Sequence, residues 1–273
     1  MRELSLRAEA IWQTRFSIKG EKKVSIRTPA FLVAFLLAGM SPLAVLAAST
    51  PHWVHYTLLN NTGGLPKKVV VLPANIEVYE VTAGDVSEEV PEWSAEVSKN
   101  VLKALSETIK SEKTMSEVGF PRLAPPSAAV VDEHIALYKL VATAVDDNEL
   151  DHKVRRFDFS IGPGLAALQR ETGADAAIMV YGRDYVSTAG RKAKAVLGNI
   201  PIVGIFAGPP PALGRSWVAI GVIDLRTGDL LWMNNETRGS TSNLRDFADA
   251  QSIIRSIFEW YPGIEQYRKV YVK

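Results

Sequence analysis

The chain has 273 residues, 47% of them apolar and 22% charged, which is the makeup of a folded globular protein rather than a disordered or fibrous one. A formal net charge of +1 gives no electrostatic case for a nucleic-acid surface. The absence of cysteine excludes disulfides, thiolate metal sites, a cysteine nucleophile and a lipid-bearing N-terminal cysteine.

Residues 1–47 read as a leader. Arg27 precedes the apolar run Phe31 to Met40. A Ser41-Pro42 break and the small-residue ending Val45-Leu46-Ala47-Ala48-Ser49 follow. Val45 and Ala47 suit a cut after Ala47, with a cut after Ser49 as the alternative. An uncleaved anchor is the competing reading, although the run Ala30 to Ala48 is barely long enough to span a bilayer and Pro42 interrupts it. Segment 1–23 is long and basic for a leader, and the purine-rich codons available to Gly20-Glu21-Lys22-Lys23 suit a translation start at Val24; the nucleotide sequence checks this. The leader holds 7 of the 31 Lys and Arg and 3 of the 30 Asp and Glu, so removing it leaves 24 against 27, near −3. The expected protein is therefore exported to the periplasm, with association to the membrane surface left open as an alternative, and has no nucleic-acid partner.

After an N-terminal arm (48–66) containing a strand from Trp53 to Leu59, a single α/β domain is expected over 67–273. Lys67 to Pro73 is the clearest strand signal, β-branched and stopped by proline. Ile76 to Val81 alternates apolar and polar and predicts a half-exposed strand. Glu88, Glu89 and Glu92 crowd the start of a helix opened by Pro91, whose stripe is Trp93, Val97, Val101, Leu105 and Ile109. A second helix runs from the prolines near 125 to about Val145, with Val131, Ile135, Tyr138, Ala142 and Val145 inward.

Gly162-Pro163-Gly164-Leu165-Ala166-Ala167 formally matches a dinucleotide-binding glycine motif, with Asp184 where a ribose-binding acid would fall. The preceding strand is poor, and a turn leading into a short helix that ends at Gly173 is the simpler reading. Ala174 to Gly182 and Trp217 to Leu225 are near-continuous apolar runs that predict strands covered on both faces. Arg226 to Asp229 turns the second into a third strand, Leu230 to Met233. Asn234 to Ser242 reads as a polar loop, and Asn243 as the cap of a last helix carrying Phe247, Ala250, Ile254, Ile257 and Tyr261 inward. The fold class is α/β, a single mixed sheet of about five to six strands with about four packing helices.

Recognisable catalytic chemistry is missing from this pattern. There is no G-x-S-x-G elbow, no H-E-x-x-H and no phosphate-binding loop, and neither a cofactor nor a metal site is expected. His52 and His55 lack a third ligand and His134 lacks a partner at i+4, so all three read as structural residues.

Val69-Val70-Val71-Leu72-Pro73, then Gly173-Ala174-Asp175-Ala176 opening a strand, then Val222-Ile223-Asp224-Leu225-Arg226-Thr227-Gly228-Asp229 closing a hairpin, together resemble one group of exported α/β proteins. It comprises relatives of the curli secretion channel protein (CsgG-like), the periplasmic N-terminal domain of TolB and lipoprotein activators of peptidoglycan synthesis. The resemblance covers about a tenth of the chain. It implies that both motifs are structural and that the protein is a non-enzymatic envelope component working through surfaces and assembly. The lipidated cysteine of many such proteins is absent.

The insert at 190–214 is the feature that the strand pattern leaves unexplained. It opens with the basic flank Arg191, Lys192 and Lys194, and continues with Val196, Leu197, Ile200, Ile202, Val203, Ile205 and Phe206 among glycines and prolines. Loops are usually short and polar, and an apolar excursion marks an interaction surface. Packing of the insert on its own domain is the bland reading. The sharper one makes Ala195 to Gly214 the contact for an envelope protein, for self-association or for a membrane surface. The alternative from another class is an envelope hydrolase using a carboxylate pair drawn from Asp158, Asp184 and Asp224, which requires those acids to converge.

Overall fold

The computed structural model describes residues 52–59, 64–147, 157–198, 214–239 and 242–263, all within the compact unit Ser49–Lys273. The leader lies outside them. The strands are β1 (His52–Val54), β2 (Lys68–Val71), β3 (Asn75–Val81), β4 (Ser87–Glu89), β5 (Ser116–Val118), β6 (Ala176–Ser187), β7 (Arg215–Asp224) and β8 (Leu230–Arg238). The helices are α1 (Tyr56–Leu59), α2 (Pro91–Glu112), α3 (Pro125–Asp147), α4 (Ala166–Thr172), α5 (Ala189–Gly198) and α6 (Phe247–Phe258). The strands form one mixed sheet in the order β1-β8-β7-β6-β2-β5, with β3 on β6 and β4 on β3.

The long strand β6 is the spine of the sheet. Its first half pairs in parallel with β2 (Val69 opposite Ala176) and its second half in parallel with β3 (Tyr79 opposite Tyr185). Pro73, which has no N–H to give to a ladder, separates the two partners. On its other side β6 runs antiparallel to β7 along ten residue pairs, from Ala176–Asp224 to Tyr185–Arg215.

Side chains alternate between two covered faces, which is why β6 and β7 read as continuous apolar runs. Ala176, Ile178 and Val180 of β6, with Val218, Ile220 and Val222 of β7, meet α2 and α6. Ala177, Met179 and Tyr181 meet α3 and α4. The α2 stripe Val97, Val101, Leu105 and Ile109 is buried as its spacing predicts, and so are Val131, Tyr138, Ala142 and Val145 of α3. Gly221 is required where Tyr138 crosses β7, because a Cβ there would lie 2.5 Å from the tyrosine ring. Under α6, Trp232 is fully buried, edge-on to Tyr261 at 5.2 Å, and donates its indole N–H to the Trp260 carbonyl at 3.2 Å.

Both family-like motifs hold the sheet together. Asp175 Oδ2 accepts the backbone N–H groups of Lys67 (3.0 Å) and Lys68 (2.9 Å), tying the start of β6 to the start of β2. Asp224 Oδ1 accepts the N–H groups of Arg226 and Thr227 (2.8 and 3.0 Å), shaping the β7–β8 turn. Gly228 follows with φ +77°, a left-handed conformation that other residues adopt only at a cost.

Several expectations are corrected. The sheet has eight strands and the described residues six helices, more than the five to six and four expected, because β4 and β5 are three-residue strands too short for a periodic signal, α1 is a single four-residue turn and α5 opens the segment read as the insert. The strand expected from Trp53 to Leu59 stops at Val54. His55 then donates its N–H to the Leu231 carbonyl and its carbonyl accepts from Leu58, so the chain turns into α1. Glu88 and Glu89 pair with β3 as β4 instead of crowding the helix start. Asn234 to Arg238 extend β8 instead of forming a loop, paired with β7 as far as Ser216–Arg238. Asp246, not Asn243, caps α6 by accepting the Ala248 N–H at 2.7 Å, while Asn243 accepts from Arg245.

Candidate functional site

The insert departs from the end of the sheet where β6 stops and β7 begins. Its root is closed: Gly214 donates its N–H to Ser187 Oγ at 3.3 Å, across 27 residues of chain. The root is also clamped. Arg191, on α5, is only 8% exposed, donates to the Thr82 carbonyl at 3.2 Å and ion-pairs with Asp85 at the β3–β4 turn. Arg191 is therefore a structural bolt between α5 and the β3–β4 hairpin, whereas Lys192 is exposed. Lys194, Val196 and Leu197 lie on α5. Ile200, Ile202, Val203, Ile205 and Phe206 fall outside the described residues.

The face of this sheet end that carries α3 holds a polar cluster that strand periodicity alone does not announce. Glu77 on β3 is its hub: it ion-pairs with Lys139 of α3, accepts from the Tyr181 and Tyr79 hydroxyls at 3.2 Å each, and lies 3.7 Å from Arg183 Nε. Burial works to raise the Glu77 carboxyl, but Lys139 and the two tyrosines outweigh it and hold it below its ordinary value. Burial and the Glu77 charge push the Tyr181 phenol up to about 12, so it stays a donor to Glu77 while accepting from Arg183 Nε at 2.6 Å. Tyr79 and Tyr185 stack in parallel at 5.2 Å. The signal available beforehand was the polar alternation of Arg183 and Tyr185 after Gly182, which reads equally well as a strand leaving the core.

Replacing Glu77 by glutamine is expected to cost about 1 kcal/mol at neutral pH, a figure reduced for the partly exposed Lys139. Because the folded carboxyl titrates below its ordinary 4.5, its contribution is present above that value and lost as pH falls through the folded one. The gap between wild type and variant in urea unfolding should therefore close on acidification; a gap that persists would show that charge is not what Glu77 contributes.

The three candidate carboxylates do not converge. Asp184 lies level with Ser216, while Asp224 lies level with Ala176, eight residues away along β6, or roughly 25 Å. Asp224 is engaged in its turn, and Asp158 is exposed near the same end as Asp224, where Phe159 accepts from Leu230. Asp184 faces α2 and α6, is buried and accepts from Ser216 Oγ at 2.8 Å, a role unrelated to a ribose. His55 contacts Thr57, and His134 bonds the Val130 carbonyl and packs on Gly164. Among the described residues no group of three metal-ligating side chains forms, and no helix is long and apolar enough to cross a membrane.

Neither protein-family models nor curated proteins show a match to the chain. Among solved structures, a PelC dodecamer from Paraburkholderia phytofirmans is similar at 12% identity, covering 77% of this chain and 94% of that one with a TM-score of 0.36. A substituted form of the same dodecamer in another crystal form gives 14% identity, 72% and 89% coverage, and a TM-score of 0.32. Superposition this loose transfers neither site nor activity.

Proposed function

We propose that this protein is a non-enzymatic, envelope-associated assembly component of the periplasm, and that the insert from Ala195 to Gly214 is its contact surface, used for self-association. The observation that carries the reading is the built root of the insert. An apolar, glycine- and proline-rich excursion leaves the sheet end at a closed Ser187–Gly214 neck, and Arg191 bolts the helix that launches it to the β3–β4 hairpin. A connection with no role beyond joining β6 to β7 needs neither the length nor the clamp, since antiparallel neighbours are joined by a few residues. The leader pattern supports export, and the motif resemblance supports a role in surfaces rather than chemistry.

The test replaces residues 195–213 with a short Gly-Ser linker and keeps Gly214. The variant should retain the circular dichroism and cooperative melting of the parent while sedimenting as a monomer, with the parent sedimenting as an oligomer. Identical sedimentation of parent and variant, with unchanged fractionation in cells, would remove the insert from the mechanism of assembly. A contact with another envelope protein or a membrane would show instead as a parent that is monomeric in solution but loses its envelope fractionation when the insert is replaced.

A further inference from the structure

Helix α3 is apolar on more sides than the one that meets the sheet, whereas a helix with one covered face needs only one apolar stripe. Val131, His134, Tyr138, Ala142 and Val145 are its buried side, while Ala129, Asp132, Glu133, Ala136 and Leu140 are exposed on the side away from the sheet. Leu140, at 65%, is the most exposed large apolar side chain among the described residues. Val130 and Leu137, seven residues apart and half-buried, join this outer face to a cleft of about 180 Å³ between α3 and α4, lined also by Leu123, Pro126, Leu165 and Leu168. Asp132 and Glu133 form no ion pair among the described residues. A second uncovered patch lies at the root of the insert. Val86, in the β3–β4 turn, is 54% exposed, and Arg191 bolts α5 to that turn through Thr82 and Asp85. Lys192, the next residue of α5, is exposed and forms no ion pair among the described residues, while Glu88 and Glu89 lie farther along β4.

We infer that the outer face of α3 receives the root of the insert of a second copy of this chain, with Val86 brought to Leu140 and Lys192 toward Asp132 and Glu133. Each patch sets an exposed apolar side chain beside unpaired charge, acidic on α3 and basic on α5, and that complementarity selects the occupant. A symmetric pair of α3 helices would instead bring four acids into one interface, where Lys139, the helix's own cation, is already engaged by Glu77. Because the two patches differ, the contact is heterologous and joins copies head to tail. It rests on the self-association proposed above and names the surface that takes part in it. Val86 and Lys192 lie outside the segment 195–213 that the linker variant replaces, so the two readings are separable.

The chain has no cysteine, so single-cysteine variants report the contact directly. In a mixture of Leu140→Cys and Val86→Cys chains, a short bismaleimide should give a cross-linked dimer that neither variant gives alone. Leu140→Asp and Val86→Asp, both at exposed positions, should keep the circular dichroism of the parent and raise the dissociation constant of self-association about tenfold or more, as measured by sedimentation. Glu133→Lys should raise it about two- to fivefold at low salt, and adding Lys192→Glu should restore it. A monomeric Leu140→Asp beside a linker variant that still assembles would keep this contact and remove the insert from it. Assembly of Leu140→Asp equal to that of the parent, beside a monomeric linker variant, would overturn this contact and leave the insert reading standing. Cross-linking of Leu140→Cys to itself, or only within a chain carrying both cysteines, would overturn it in favour of a symmetric helix pair or of cover by the chain's own hairpin. A parent that is monomeric would overturn it together with self-association.

Discussion

Replacing Gly228 by alanine is expected to lower the melting temperature by about 10 °C. The alanine Cβ would sit 1.9 Å from the Gly162 carbonyl oxygen, backbone against backbone, at a residue whose φ is +77°. The left-handed conformation alone costs about 1–2 kcal/mol, and relieving the overlap adds about 1–3 kcal/mol. The overlap also threatens a tertiary joint, because Ile161 donates its N–H to the Gly228 carbonyl and Leu230 donates to Phe159, fastening the segment before α4 to the β7–β8 turn. Arg226→Ala in the same turn is the control: its side chain is exposed and its part in the turn is a backbone N–H, so its effect should stay within about 0.5 kcal/mol. Equal melting of the two variants would mean that the Asp-x-x-Thr-Gly hairpin is not the structural element described above.

Asp184→Asn is expected to stabilise the protein at neutral pH by about 1–2 kcal/mol. Asp184 is 1% exposed, and the Ser216 hydroxyl donates to one of its oxygens at 2.8 Å. Burial pushes its carboxyl above the ordinary 3.8; Ser216, the Leu244 backbone and Arg245 pull the other way without cancelling it, and Asp249 adds to the rise. The sign follows from linkage. With the folded value raised, the contribution of this group is most favourable below 3.8 and is lost as pH rises through the folded value. The charged aspartate is thus a liability at pH 7 that asparagine lacks, and the two proteins should converge in denaturant midpoint as pH falls toward about 4. A variant less stable than the parent at neutral pH would show that the negative charge is needed beneath the Leu244–Arg245 loop.

Together with Glu77, Asp184 gives the two faces of the sheet end opposite responses to acid. The Glu77 carboxyl is held below its ordinary value, so protonation is expected to weaken its network, whereas the Asp184 carboxyl is held above its ordinary value, so protonation is expected to relieve its burial cost. The root of the insert and a cavity beside Arg183 and Trp217 both lie at this end, away from the β7–β8 turn. The molecule therefore separates an end that carries the two motifs from an end where charged groups, aromatic rings and the root of the insert lie.

How much of this was legible beforehand depended on the range of the interactions involved. The buried strands Ala176 to Gly182 and Trp217 to Asp224, the stripes of α2 and α3, the Gly162-Pro163 turn and the end of α4 at Gly173 follow from local periodicity and turn chemistry, which are written within a few neighbouring residues. The sequence by itself thus determined an α/β domain with both faces of its sheet covered, and it singled out the insert. Only the tertiary structure decided what the polar residues do. Strand pairing makes β4 from Glu88 and Glu89 and carries β8 through Asn234 to Arg238. Register separates Asp184 from Asp224 along β6, and a contact across 106 residues turns Arg191 from a basic flank into a bolt on Asp85. The physical reason is that hydrophobic burial acts on every residue of an element and so leaves a period, whereas an ion pair, a cap or a cavity joins single side chains from distant elements and leaves none.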